Sequence, residues 1–323
     1  LETIGLYIPH RTHFERGEII NMAKTLSLKG CFPPIPTPFD LKGRVDHNRL
    51  SENLEIWQKT PLSGFVVLGS NGEAVLLKEK EKLAIWKTAA ASIGKGRFFI
   101  AGTGCEATAE TIELTEKAAV LGANAAMVST PHYYKSALDH KTLVAHYTAI
   151  ADKSPIPIIL YNVPGFTGID LLPDTIIELS GHPNIIGLKE SSGNIVKISQ
   201  VISGAKPSFQ VLAGSGSFLA PALAMGAVGG VMALAAVAPY ALHDLTQAVK
   251  NGKLDEAKKI QLMLIPANQA VTSRFGIAGL KAALDFMGMY GGPVRRPLMP
   301  LTNQQLSDLQ AILVKANLEK ILR

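Results

Sequence analysis

Short apolar runs punctuate the chain at regular intervals. They read "LKGCF" (28–32), "GFVVLG" (64–69), "RFFIAGT" (97–103), "AAMVST" (125–130), "IPIILYN" (156–162), "IIGLK" (185–189), "FQVLAG" (209–214) and "VGGVMA" (228–233). Each is rich in β-branched or aromatic residues and is bounded by glycine, proline or small polar residues, which predicts strands. The intervening stretches change period. "DHNRLSENLEIWQKT" carries Leu50, Leu54 and Trp57 on one helical face and opens at Asp46, a good N-cap. "TAETIELTEKAAVLG" opens at Thr108 and stops at Gly122, and "LLPDTIIELSG" starts with a proline in its first turn and stops at Gly181. Eight strands alternating with helices predict a (β/α)8 TIM barrel. The near-continuous apolar strands suit a parallel sheet covered on both faces. The competing doubly wound sheet lacks a GxGxxG after its first strand. Beyond about residue 240 strand patterns give way to helical ones, such as "FGIAGLKAALDFMG" and "NQQLSDLQAILVKANLEKIL". The expected organisation is therefore a barrel over 22–240 and a C-terminal helical region over 241–323. Residues 1–21 are polar and unpatterned and read as a disordered N-terminal extension, with Met22 a sensible start for the folded part.

Composition narrows the function classes. The chain has 323 residues, 18% charged and 47% hydrophobic, so much of its surface is expected to be covered within the fold or between subunits. The net charge is +6, but lysines and arginines alternate with acids and no aromatic residues interleave with basic runs. A nucleic-acid partner is not expected, and the mild bias suits an anionic substrate. The longest apolar stretch, "FLAPALAMGAVGGVMALAAVAPYAL", is broken by Pro221, Gly226, Gly229, Gly230 and Pro239. It reads as helix, strand and helix in a core, so no membrane partner is expected. Cys31 and Cys105 show no metal or disulfide spacing, and the histidines are scattered, so neither metal nor other cofactor is expected. Acids beside the arginines of the first residues argue against a transit peptide. The compartment is left as cytoplasmic or mitochondrial.

Barrel chemistry sits at the C-terminal ends of strands. There the sequence places "GSNGE" (69–73), "STPHYYK" (129–135), "YNVPG" (161–165), Lys189 with "ESSGN", and "AGSGS" (213–217). Ile185, Gly187 and Lys189 are expected to share one face, with Gly187 leaving room for the lysine stem. An ammonium is costly to bury, and the neutral amine is the form that attacks ketones and builds a Schiff base. Singly, each feature has a plainer reading. Lys189 could be a strand reaching water, a terminal tyrosine could be an amphipathic plug, and "AGSGS" could be a tight turn as readily as a phosphate cradle. Their joint placement at strand ends favours chemistry. No paired carboxylates, GxSxG elbow or P-loop stands there.

"GSNGE", "TPHYY", "YNVP" followed by "TG", and "GLKESSGN", in this order, resemble the dihydrodipicolinate synthase / N-acetylneuraminate lyase family of pyruvate-dependent class I aldolases. The likeness extends from about residue 27 through "RFGIAGLK" and "YGGPVRRPL". "AGTGCEAT", "PNIIGLK", "FQVLAGS" and "VTSRFGIAGLK" lean towards its eukaryotic 4-hydroxy-2-oxoglutarate aldolase branch. The resemblance implies that Lys189 forms the Schiff base and Tyr161 shuttles the proton. It implies that Ser70 and Asn71 bind the keto-acid carboxylate, Ser70 also relaying protons, and that Ser191 and Gly214 line the substrate. Tyr133 would reach across a dimer interface, within a homotetramer built from two dimers. One departure bears on substrate. Phe166 stands where lysine-biosynthetic members carry an arginine for a second carboxylate, and a phenyl ring cannot make that pair. Asn162, or more loosely Arg274 or Lys135, is left to hold a distal group.

The expected function is cleavage of a 2-keto acid to pyruvate and an aldehyde, with 4-hydroxy-2-oxoglutarate giving glyoxylate. The alternatives are 4-hydroxy-tetrahydrodipicolinate synthesis, an aldolase for a 2-keto-3-deoxy sugar acid, and a barrel that binds a keto acid without turning it over.

Overall fold

The computed structural model describes residues 26–322; the expected extension at 1–21 lies outside them. Among the described residues nine strand segments make one sheet: β1 (Gly30–Phe32), β2 (Pro34–Ile35), β3 (Gly64–Val67), β4 (Phe98–Gly102), β5 (Ala125–Ser129), β6 (Ile158–Asn162), β7 (Ile185–Glu190), β8 (Gln210–Ala213) and β9 (Gly229–Val231). Every pairing between neighbours is parallel. β1 pairs with β9 and β2 pairs with β3, so the two halves of the first strand join the ends of the sheet and close the ring. The break between them falls at Pro33, which has no N–H for a ladder. The first strand therefore runs further than the "LKGCF" pattern indicates, in two pieces with different partners.

Two apolar clusters divide the interior. Leu28, Phe32, Val66, Ile100, Met127, Ile159 and Leu212 fill the barrel. Leu50, Leu54, Trp57, Phe65, Trp86, Leu160 and Leu188 belong to the larger layer between strands and surrounding helices. Residues buried on both faces of the strands explain the unbroken apolar runs, each large side chain contributing about 1.5–3 kcal/mol.

The helices begin where the capping signals lie. The helix His47–Trp57 is capped by the Asp46 side chain, which accepts the Arg49 N–H. Thr108–Val120 ends before Gly122, whose φ is +97°. Pro173 occupies the first turn of Pro173–Ser180. The breaker-rich stretch after 218 resolves into the helix Leu219–Ala224, β9 and the helix Pro239–Lys250. The C-terminal helices Leu254–Gln269, Gly276–Phe286 and Asn303–Lys315 follow, with a π turn at Ala270–Arg274 between the first two. The architecture is a TIM barrel with C-terminal helices. Among the described residues no helix is long and apolar enough to cross a membrane.

The expected alternation along β7 fails at one point. The β6–β7 register shifts between Ile158 and Ile159, so Ile158 faces Ile185 while Ile159 faces Gly187. Ile186 packs inside the barrel and Ile185 outside it. Ile185 is thus not on the face of Lys189. Gly187 is required by its neighbour: a Cβ there would lie 2.3 Å from the Gln210 carbonyl oxygen on β8.

Candidate active site

Tyr161 and Lys189 are paired in register at the C-terminal ends of β6 and β7. Both are buried, Lys189 being only 3% exposed. The Lys189 Nζ lies 3.9 Å from the centroid of the Tyr161 ring. The Tyr161 hydroxyl shares a 3.2 Å hydrogen bond with Ser70 Oγ, which comes from the turn after β3. The plain reading of Lys189 as a strand reaching water is therefore wrong. Its amine ends in a cavity of about 390 Å³, lined by Ser70, Asn71, Tyr161, Lys189, Ser191 and Gly214 among others. An amine, a phenol and a hydroxyl in contact supply a nucleophile with a proton path to its side.

The Ser70–Gly72 turn is a single 3-10 turn. Leu68 (φ 67°) and Glu73 (φ 56°) bracket it, both in the left-handed region that side chains rarely adopt. Gly214 is required on the opposite wall, where a Cβ would meet Ser191 Oγ at 2.0 Å. That Ser191 oxygen is buried and has no hydrogen-bond partner among the described residues. In "AGSGS", Gly216 N donates to Asn268 Oδ1, and Ser215 Oγ accepts from both Ser217 N and Asn268 Nδ2. The turn's donors are thereby used within the protein, which favours the tight-turn reading over the phosphate cradle.

Tyr133 is not brought to this cavity. It is 76% exposed, its N–H donates to Glu106 Oε2, and its ring meets Tyr134 edge-on at 5.0 Å. None of the three residues left to hold a distal group lines the cavity. Asn162 Nδ2 donates to Asp170 and Glu190, and its oxygen accepts the Leu171 N–H. Arg274 pairs with Asp308 at 2.8 Å. The amine of Lys135 stands over Gly168, 2.7 Å from where a Cβ on that glycine would lie. Phe166 does line the cavity mouth, at 70% exposure.

Sequence reasoning missed the far wall. Val271, Thr272 and Ser273 of the π turn, with Gly276 and Ile277 of the next helix, face the cavity from the C-terminal region. The signal was present in "VTSR", two hydroxyls beside a helix break, but helical periodicity hides a widened turn. Thr272 Oγ1 donates to the Asn268 carbonyl at 2.6 Å, leaving its lone pairs free.

The dihydrodipicolinate synthetase family matches residues 27–316. The chain belongs to this family. The 4-hydroxy-tetrahydrodipicolinate synthase of Methanothrix thermoacetophila is 36% identical over 288 residues, covering 89% of this chain and 96% of the relative. The chloride-inhibited dihydrodipicolinate synthase of Acinetobacter baumannii, solved with pyruvate, superposes with a TM-score of 0.86 at 32% identity, covering 90% of this chain and 100% of that one. The dihydrodipicolinate synthase of Aquifex aeolicus gives 0.86 at 30% identity, covering 91% and 100%. As a dihydrodipicolinate synthetase family member, the chain is a lyase of the Schiff-base-forming, class I aldolase/synthase type. The keto-acid-binding barrel without turnover is set aside by that membership.

Proposed function

We propose that this enzyme cleaves 4-hydroxy-2-oxoglutarate to pyruvate and glyoxylate, with Lys189 as the Schiff-base residue. The substrate's carboxylate sits on the Ser70–Asn71 turn, where N–H groups and a hydroxyl suit an anion. Ser191 and the Gly214 backbone line its flank. The Lys189 amine adds to the C2 carbonyl, and loss of water leaves a protonated imine. Tyr161, relayed through Ser70 and through Tyr133 of a neighbouring subunit, takes the C4 hydroxyl proton. The C3–C4 bond breaks, its electrons pass to the imine, and glyoxylate leaves. The remaining enamine is protonated at C3 and hydrolysed to pyruvate, freeing Lys189. A positioned acid–base of this kind contributes on the order of 10²–10⁴-fold. The pyruvate bound in the Acinetobacter baumannii relative supports the common part of this route.

Phe166 carries the choice of substrate. It holds the cavity mouth where the resemblance implies an arginine in lysine-biosynthetic members, and Lys189 is the only cationic side chain in the cavity lining among the described residues. A distal carboxylate would then be met by the hydroxyls of the far wall. The second reading, 4-hydroxy-tetrahydrodipicolinate synthesis from pyruvate and aspartate semialdehyde, is favoured by the names of the relatives at 35–36% identity. A side-by-side measurement of kcat/KM decides, using hydroxyoxoglutarate cleavage, aspartate semialdehyde condensation and cleavage of a 2-keto-3-deoxy sugar acid. Hydroxyoxoglutarate is expected to lead by at least tenfold; a lead for aspartate semialdehyde would replace this reading with the second.

A further inference from the structure

The Ser70–Asn71 turn is held from outside the cavity by a buried ion pair. Glu73, the left-handed residue that closes the turn, is 1% exposed, and its Oε1 lies 2.6 Å from Nζ of Lys281, also 1% exposed. Its other oxygen accepts the Arg295 N–H at 2.7 Å. Lys281 Nζ donates to the Pro293 carbonyl at 2.7 Å and stands 4.3 Å from the centroid of the Phe39 ring. The Glu73 N–H in turn donates to the Ser70 carbonyl at 3.0 Å, so carboxylate and turn form one rigid piece. Burial pulls the Lys281 ammonium down, and Glu73 opposes that shift. Such a pair is an inefficient way to stabilise a fold, since well-packed apolar residues of the same volume are commonly as good or better. What an ion pair supplies, and a methyl cluster does not, is a fixed direction.

Lys281 lies on the helix Gly276–Phe286, whose first residues, Gly276 and Ile277, line the far wall of the cavity. One helix therefore touches the far wall and grips the near turn. We infer that Glu73 and Lys281 are positioning residues: their ion pair fixes the Ser70–Asn71 turn against the C-terminal region, and so sets where the keto-acid carboxylate rests relative to Lys189. This builds on the proposed role of that turn as the carboxylate seat.

The test follows borohydride trapping of pyruvate on Lys189 in the full chain, as a function of pyruvate concentration and alongside thermal melting. Glu73→Gln keeps the shape and the acceptor for Arg295 but loses the charge. It is expected to raise the half-saturating pyruvate concentration tenfold or more while lowering the maximal trapping rate less than threefold. Lys281→Met strands a buried carboxylate and is expected to melt early. The double variant Glu73→Gln/Lys281→Met removes both charges. It is expected to recover the melting temperature while keeping the raised half-saturation. Recovery of both, or normal half-saturation in folded Glu73→Gln, would make the pair purely structural and overturn the inference. Absence of any adduct in the unaltered protein would instead overturn the Schiff-base reading.

Discussion

Two residues show how one physical cause, burial, serves different ends. At Lys189 it places an amine against the Tyr161 ring at the end of an apolar strand. Lys189→Ala is expected to abolish the borohydride adduct and lower turnover by at least 10³-fold. Tyr161→Phe should still form the adduct but turn over about 10²–10⁴-fold more slowly, because only the proton path is lost. Mass spectrometry and steady-state rates separate the two, and an adduct on another lysine would refute the assignment. At His146, which does not line the cavity of Lys189, burial acts on a titrating ring. Its Nδ1 bonds Thr108 Oγ1 at 2.8 Å, its Nε2 has no hydrogen-bond partner among the described residues, and desolvation pushes the imidazole down to about 4 against partial opposition from Glu106. Because this folded value lies below the unfolded one, the unfolded chain binds the proton first as pH falls. Stability from this site is therefore full above about pH 6.5 and drains away between there and about pH 4, by on the order of 3 kcal/mol. In His146→Asn that pH dependence is expected to disappear, so the stability gap between the two proteins should narrow as pH falls. A gap that stays constant from pH 7 to pH 4 would show that His146 titrates alike in both states.

Among the elements, β7 leaves little room for change beneath Lys189. Gly187→Ala would drive a Cβ into the Gln210 carbonyl and part β7 from β8 two residues below Lys189. A loss of roughly 1–3 kcal/mol is expected, with a larger fall in kcat than its melting temperature alone implies. Unchanged denaturant midpoint and rate would show that the strands can slide apart freely. The elements themselves were legible because each carries its signal locally: β-branched runs for strands, Asp46 and Pro173 for helix starts, Gly122 for a stop. What stayed hidden depends on two segments at once. The shift at Ile185–Ile186 comes from how β7 meets β6, and the split first strand from its facing β9 on one side of Pro33 and β3 on the other. Lys281 lies in "RFGIAGLK" and Arg295 in "YGGPVRRPL", yet nothing in spacing links them to Glu73, more than two hundred residues away. The place of Asn162 is hidden for the same reason. Its strand-end position suggested the cavity, while its partners Asp170, Glu190 and Leu171 lie behind it. The strand-end residues Ser70, Asn71, Tyr161, Lys189, Ser191 and Gly214 could be grouped beforehand because barrel topology gathers strand ends without help from long-range pairing.

Tyr133 raises a question only the whole assembly can answer. Its side chain stands 76% exposed beside Tyr134 (74%), and Val75 is 86% exposed near the Ser70 turn in sequence. Large apolar side chains left in water are suited to covering by another chain. If Tyr133 completes a neighbour's proton relay, the active unit is a dimer at least, and a tetramer on the family pattern. Two separately dead proteins should then rescue each other. Lys189→Ala lacks the amine but still offers Tyr133 to its neighbour; Tyr133→Ala keeps the amine but offers nothing. Equal mixing with free exchange leaves half the dimers mixed, each with one intact site, so activity should return to about a quarter of the unaltered level. The return should follow the rate of subunit exchange and vanish when exchange is blocked by cross-linking before mixing. Sedimentation of the active enzyme should show no monomer at assay concentration. A fully active monomer, or a mixture no better than the sum of its parts, would confine the chemistry to Lys189, Tyr161 and Ser70 within one chain and leave Tyr133 as a surface residue.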